Sequence, residues 1–283
     1  MTMFRNAQLL AAAAVAAVSA SAVGATNARA DAPAFAYSFN LGGFSDYRFR
    51  GISQTAEEAA IQGGVDLTYG IGYFGVWASN LDFGRTADTN RDIANGEIDI
   101  YAGIKPVLGP VTFDLGVLYY AYPKGRDTLN GLNTNAVGEL NYLELKLGAS
   151  ATPVENLAVG ATFFYSPDYT LETGTVYTLE GTAGYTLPKV GVFVPTIGGR
   201  LGYQVGTDNR YDKVVQIANG EDSYLYWDVG LTLAVEKIAF DFRYIDTDIK
   251  NNNAAGGGVN GFCKGPVAQC DSTFVASVKI TLP

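Results

Sequence analysis

Between Phe35 and Leu282 the chain breaks into about twelve segments in which apolar and polar residues alternate. The connections alternate too, long and polar, then short and tight. A period of two sends successive side chains to opposite faces of a strand. Connections sorted by length suit a sheet whose strands cross a bilayer, with turns on one side and loops on the other. An ordinary soluble sandwich has no reason to sort them. No uninterrupted apolar run long enough for a membrane helix follows Asp31, so any spanning part must be made of strands. Those strands have to close on themselves to satisfy their backbone groups. The expected fold is all-β, a transmembrane antiparallel up-and-down β-barrel of about 12 strands.

Residues 1–30 read as a cleaved signal peptide and residues 31–283 as the barrel domain. Arg5 gives a basic start, residues 9–22 are almost all small and apolar, and Ala28-Arg29-Ala30 fits an A-x-A cleavage motif, which makes Asp31 the expected mature start. An uncleaved anchoring helix is the competing reading, but the apolar stretch is short and alanine-rich for one. Export with strand-only spanning implies the outer membrane of a Gram-negative bacterium, with lipid and lipopolysaccharide as surroundings.

The alternation assigns faces. In the second segment Ile61, Gly63, Val65, Leu67 and Tyr69 oppose Gln62, Gly64, Asp66 and Thr68. The fourth sets Ile98, Ile100, Ala102 and Ile104 against Glu97, Asp99, Tyr101 and Lys105. The fifth sets Val111, Phe113, Leu115, Val117 and Tyr119 against Thr112, Asp114 and Gly116. In the sixth, Leu143, Leu145 and Leu147 oppose Glu144 and Lys146. The tenth sets Leu225, Trp227, Val229, Leu231 and Leu233 against Tyr226, Asp228 and Thr232. The eleventh sets Ile238, Phe240, Phe242 and Tyr244 against Asp241 and Arg243. Charges recur at mid-strand on the polar face. Burying them unpaired costs several kcal/mol each, so a wet lumen lined by the polar face is expected. The third segment, residues 73–80, is apolar on both faces and has no readable orientation. Tyr (18), Phe (15) and Gly (34) are plentiful, as interfacial girdles and bending strands require.

The connections at 69–72, 107–110, 152–156 and 236–237 are short, as periplasmic turns should be. Those at 53–60, 82–95, 123–138, 167–175, 207–223 and 247–272 are long and hydrophilic, as external loops should be. The connection 187–195 is intermediate, and the strand count is least secure there.

Extending the alternation of the first segment turns Phe35, Tyr37, Phe39 and Leu41 to lipid and Asn40, Asp46, Arg48 and Arg50 inward. The other lumen-facing candidates are Asp66, Asp99, Asp114, Glu144, Lys146, Glu180, Arg200, Asp228, Asp241, Arg243 and Lys279. Facing rows of acids and bases select ions by charge and size; the alternative is that they pair into a plug. Twelve strands spaced ~4.8 Å and tilted ~40° give a backbone radius of roughly 12 Å, leaving a narrow passage for ions or small solutes. A slight inward excess of acids implies weak cation preference. Arg48 and Arg50, beside Asp46 and Gly51, are the sharpest candidates for a constriction, with ordinary rim charges as the alternative.

Cys263 and Cys270 lie in the longest loop, and in an exported chain a disulfide is the default. No metal site is expected there, since two thiols without His do not complete a tetrahedral shell. Asp246, Asp248 and the three asparagines at 251–253 match no calcium-loop spacing. The chain has no histidine, which removes the usual proton carrier of serine hydrolases and related enzymes, so no catalytic residue and no cofactor are expected. Acidic carboxylates such as Glu97 and Asp99 need no catalytic explanation. With 19 Lys and Arg against 28 acids and no basic cluster, nucleic acid is not an expected partner. The sequence identifies no face for a homo-oligomer.

One stretch carries a resemblance. Ser45-Asp46-Tyr47-Arg48-Phe49-Arg50-Gly51-Ile52-Ser53-Gln54-Thr55, followed by Gln62-Gly63-Gly64, is similar to the opening signature of the TorF-type porins, the proteobacterial Gcw_chp domain family. Trp77-Ala78-Ser79-Asn80, the run from Glu97 to Gly103, Tyr119-Tyr120-Ala121-Tyr122-Pro123, Tyr165-Ser166-Pro167-Asp168-Tyr169, Trp227-Asp228 with Gly230, the run from Tyr244 to Asp248 and the late cysteine pair continue it. The resemblance implies an outer-membrane barrel and brings no family-wide substrate or catalytic residue. The chain departs from common barrel-assembly signals by ending Ile280-Thr281-Leu282-Pro283, without a terminal aromatic.

Overall fold

A computed structural model describes residues 35–84, 92–123, 125, 139–208, 211, 222–249 and 270–283. The expected signal peptide, its cleavage site, Cys263 and the asparagines at 251–253 lie outside these residues. Twelve strands of nine residues or more follow one another: β1 (Phe35–Phe44), β2 (Ala60–Tyr69), β3 (Gly72–Asn80), β4 (Gly96–Ile104), β5 (Val111–Ala121), β6 (Tyr142–Val154), β7 (Leu157–Ser166), β8 (Val176–Thr186), β9 (Val194–Gly206), β10 (Ser223–Val235), β11 (Ile238–Thr247) and β12 (Thr273–Leu282). Each pairs antiparallel with the next. β1 pairs with β2 on one edge and with β12 on the other, Leu41 lying opposite both Gly63 and Ile280. The sheet therefore closes and no edge remains unpaired. The connection at 187–193 is a turn with a single bridge between Val190 and Phe193, so the count of twelve holds.

The burial pattern is that of a barrel in lipid. Large apolar side chains stand exposed on the outer face, among them Leu41, Leu147, Leu179, Leu201 and Val229, while the charged face of the same strands is buried. β3 acquires its orientation here. Phe74 and Ala78 point outward, and Tyr73, Gly75, Trp77 and Ser79 face the lumen. Its sequence is ambiguous because the lumen beside it is aromatic: Trp77 meets Tyr47 edge-on at 5.5 Å between ring centroids. On the inner wall, Tyr101 and Tyr226 each lie across the glycine paired with them, Gly75 and Gly202. A side chain at either glycine would strike the ring.

Two expectations need correction. β1 ends at Phe44, so strand alternation does not carry Asp46, Arg48 and Arg50 inward; consecutive residues from Asp46 to Thr55 are all buried. The first long connection thus begins at Ser45, not at 53, and folds into the barrel instead of standing outside it. The wet, charged lumen is also wrong for half of the bore. There the charges are dry, and most are paired.

Candidate functional site

The inward-folded segment is a miniature hairpin. Arg48 pairs with Ser53 and Phe49 with Ile52, joined by Arg50 and Gly51. Both joining residues have positive φ, 50° and 85°, as a type I′ turn demands. Gly51 is additionally wedged against Thr247 and Tyr226, where a side chain would collide. The base of the hairpin is tied by its own polar residues. Asp46 Oδ2 accepts from Arg48 Nε at 2.5 Å, and Asp46 Oδ1 accepts from the Ser53 hydroxyl at 2.6 Å. The Thr55 hydroxyl accepts from the Tyr47 amide at 3.1 Å. Arg48 also donates to the Gly51 carbonyl at 3.2 Å and to Glu57 at 3.1 Å.

The tip spans the bore from its root at β1 to the opposite wall. Arg50 grips Glu144 of β6 with two parallel bonds, 2.7 and 2.8 Å, the bidentate geometry that makes arginine–carboxylate pairs strong. Its guanidinium lies 4.7 Å from the ring centre of Phe49 and 4.9 Å from that of Phe164 on β7. Gln204 of β9 accepts from it at 3.3 Å, and the Tyr224 hydroxyl of β10 donates to its carbonyl at 3.2 Å. Tyr120 completes the Glu144 shell at 3.0 Å and stacks on Tyr142, ring centroids 4.4 Å apart. At the hairpin root, burial and then the negative charge of Glu97 push the Tyr47 phenol well above its usual range, so it remains a donor.

The wall charges divide into local pairs. Lys146 meets Asp114 at 2.7 Å. Arg200 bridges Asp228 and Glu180, at 3.0 and 3.4 Å, and Arg243 bridges Asp228 and Asp241, at 2.5 and 2.9 Å. Asp66 accepts from the Tyr101 hydroxyl at 2.6 Å. Most of these acids and bases therefore neutralise one another in local pairs and do not stand as opposed rows. Glu97 and Asp99 differ, forming no ion pair among the described residues.

Depth divides the bore. Toward the long connections Glu144, Gln204, Thr178 and Tyr226 are each 1% exposed. There Phe49, Ile52, Phe83, Tyr122, Tyr142 and Tyr169 help enclose a gap of about 40 Å³, room for one or a few waters. Toward the short turns burial is uneven: Ser150 and Thr182 face the lumen yet are exposed, whereas Asp114, Thr232 and Asp241 are buried. At the end of β11 and just past it, Asp246 accepts from the Thr247 amide at 2.9 Å and Asp248 from the Leu225 amide at 2.8 Å. These two carboxylates are thus committed to backbone. Cys270 is buried, and no cysteine is free among the described residues. Sequence reasoning found the charges of the hairpin but missed its aromatic seat, Phe49, Tyr120, Tyr142, Phe164 and Tyr224. Their signal was the density of tyrosines at the strand ends next to long connections.

A family model described as a bacterial protein of unknown function (Gcw_chp) matches residues 27–282. No curated protein matches the sequence. Among solved structures, a KdgM porin aligns with a TM-score of 0.51 at 11% identity, over 87% of this chain and 99% of that one. A KdgM porin in complex with disordered oligogalacturonate aligns with a TM-score of 0.50 at 12% identity, over 87% of this chain and 99% of that one. The NanC porin gives 0.49 at 12% identity, covering 88% and 100%. At such identities the KdgM likeness shows the fold. A closed twelve-strand barrel of this kind is an outer-membrane protein of a Gram-negative bacterium.

Proposed function

We propose that this chain, which belongs to the Gcw_chp family of bacterial proteins of unknown function, is a porin-like channel. In this reading ions and small solutes diffuse passively through a narrow charged lumen, and the hairpin at residues 48–53 is its constriction. The observation that carries the reading is one short hairpin, fixed by Arg50 to Glu144, narrowing a barrel in which the lumen-facing Ser150 and Thr182 toward the turns stay exposed. A stiff charged constriction on a wide vestibule sorts solutes by size and charge without binding them tightly. Inward acids exceed inward bases, which favours a weak preference for cations. The reading assigns no catalytic residue. Lipid and lipopolysaccharide surround the barrel, and the Cys263–Cys270 disulfide braces the last external loop, a bond supported by the buried, non-free Cys270.

The test is single-channel recording of the refolded mature protein in a planar bilayer. Reproducible steps with mild cation selectivity support the channel, and clear anion selectivity refutes the sign. A second reading, a non-conducting barrel that acts through its external loops, is favoured by the paired charges and the small gap beside the hairpin. A correctly folded barrel that stays silent both intact and with the hairpin excised supports that reading instead.

A further inference from the structure

We propose that Glu97 and Asp99 bind a divalent metal cation of the oxygen-preferring calcium and magnesium class, at the barrel wall beside the root of the hairpin. The proposal goes beyond the channel reading and stands whether or not the bore conducts.

Two positions apart on β4, Glu97 and Asp99 send their side chains to the same lumen face, and both are buried to 3% exposure. The other acids of the bore have partners. Asp46, Asp114, Glu144, Glu180, Asp228 and Asp241 each meet an arginine or lysine, and Asp66 takes a phenol. Among the described residues Glu97 and Asp99 form no ion pair, and their buried Oε2 and Oδ1 atoms have no hydrogen-bond partner. Two dry, adjacent carboxylates repel one another, and each costs several kcal/mol unless a positive charge compensates it.

The neighbours supply neutral oxygen. The Tyr122 hydroxyl lies 3.2 Å from Glu97 Oε1, and the Tyr47 phenol of the hairpin root is near enough to feel the charge of the same carboxyl. Gln62 is likewise buried, with its amide nitrogen unpartnered. It sits in the same lumen row, Gln62 opposite Ser79 and Ser79 opposite Glu97. A half-turn of that amide presents its carbonyl instead. Two carboxylates with phenol and amide oxygens make a hard, doubly negative donor set. It matches calcium or magnesium, and without imidazole or thiolate it is a poor match for zinc or copper. A cation held there also fixes Tyr47, and with it the base of the hairpin.

The chain has two tryptophans. Trp77 lies directly opposite Asp99 in the β3–β4 register, whereas Trp227 is on the outer face. A Trp227→Phe protein, refolded in detergent after stripping with chelator, is therefore a local reporter for terbium(III), a luminescent stand-in for calcium. The expected result is saturable terbium emission excited through Trp77 and displaced by calcium. Asp99→Asn should weaken it by about tenfold, in line with the dependence of such sites on ligand charge, and Glu97→Gln with Asp99→Asn should abolish it. Heat-modifiable gel migration checks that each variant has folded, and the single Asp99→Asn variant decides the matter if the double does not fold. Emission that persists in the folded double variant overturns the proposal, as does a wild-type protein with no calcium-displaceable binding. So does a wild type indifferent to metal whose double variant is more heat-resistant, because a shared proton then compensates the pair.

Discussion

The two halves of the bore are made from the same strands yet solve opposite problems. Toward the long connections, the wall carries Glu144, Gln204 and Tyr226 at 1% exposure, packed against an inserted hairpin. Toward the short turns, the same β6 presents Ser150, and β8 presents Thr182, to solvent. Alternation alone makes these positions equivalent, since all five point inward. The difference comes from one segment of the first connection, which brings its own charges and finds partners for them on the far wall. A lumen is therefore not uniformly wet or dry; what fills it decides, residue by residue.

The strongest way to break this contrast is to remove the filler. Replacing residues 46–54 by a short glycine-serine linker should make the loop-side half resemble the turn-side half. Conductance in a planar bilayer should rise severalfold, with the folded barrel retained on heat-modifiable gels. An unchanged conductance would mean that the hairpin does not limit passage. Next in size is the latch. Glu144→Gln strands the buried Arg50 guanidinium, and breaking one side of a buried pair costs about 3 to 5 kcal/mol. Denaturant unfolding in detergent should show that loss, together with noisier, larger current steps. Adding Arg50→Ala should recover part of the stability, because the second substitution removes the orphaned charge.

Much of this was legible in the sequence. Period-two alternation and the sorting of connections suffice for the closed barrel, because lipid leaves the strands no other arrangement. The polar face of most strands, though not of β3, was readable for the same reason. Hidden was the fate of residues 45–55, whose short alternation, Asp46, Arg48 and Arg50 against Tyr47 and Phe49, continues that of β1 in appearance. The break is at the turn: Arg50-Gly51 is a left-handed pair, and arginine in the first position gives no propensity signal of the kind Asn-Gly gives. The pairing of the wall charges was equally hidden, since Arg200 and Arg243 both reach Asp228 through cross-strand register and rotamer, which composition does not encode. β3 stayed ambiguous because its inward Trp77 packs against that same unseen hairpin.

A smaller perturbation leaves every charge in place. Gly51→Ala forces a side chain into φ 85° and against Tyr226 and Thr247, at a cost of about 1 to 3 kcal/mol. The strain falls on the hairpin tip alone. Unfolding of the barrel should therefore shift less than with Glu144→Gln, while the hairpin unseats more often and open-channel noise rises. A Gly51→Ala protein with wild-type noise would mean that the turn relaxes without leaving its seat.

The least disruptive test sharpens the comparison instead of breaking it. Single cysteines at Ser150, Thr182 and Thr178 sample lumen-facing positions on the open and the filled side. Serine or threonine to cysteine at an exposed site changes stability by no more than about 0.5 kcal/mol, so the first two report on an undisturbed barrel. A charged thiol reagent should label Ser150→Cys and Thr182→Cys quickly and leave Thr178→Cys unreacted, because Thr178 is 1% exposed and lies within reach of Gln204 behind the hairpin. In the linker variant Thr178→Cys should become reactive while the other two rates stay as they were. Equal labelling of all three in the intact protein would mean that the hairpin leaves its seat faster than the reagent reacts. The contrast between the halves would then be one of occupancy over time rather than of fixed structure.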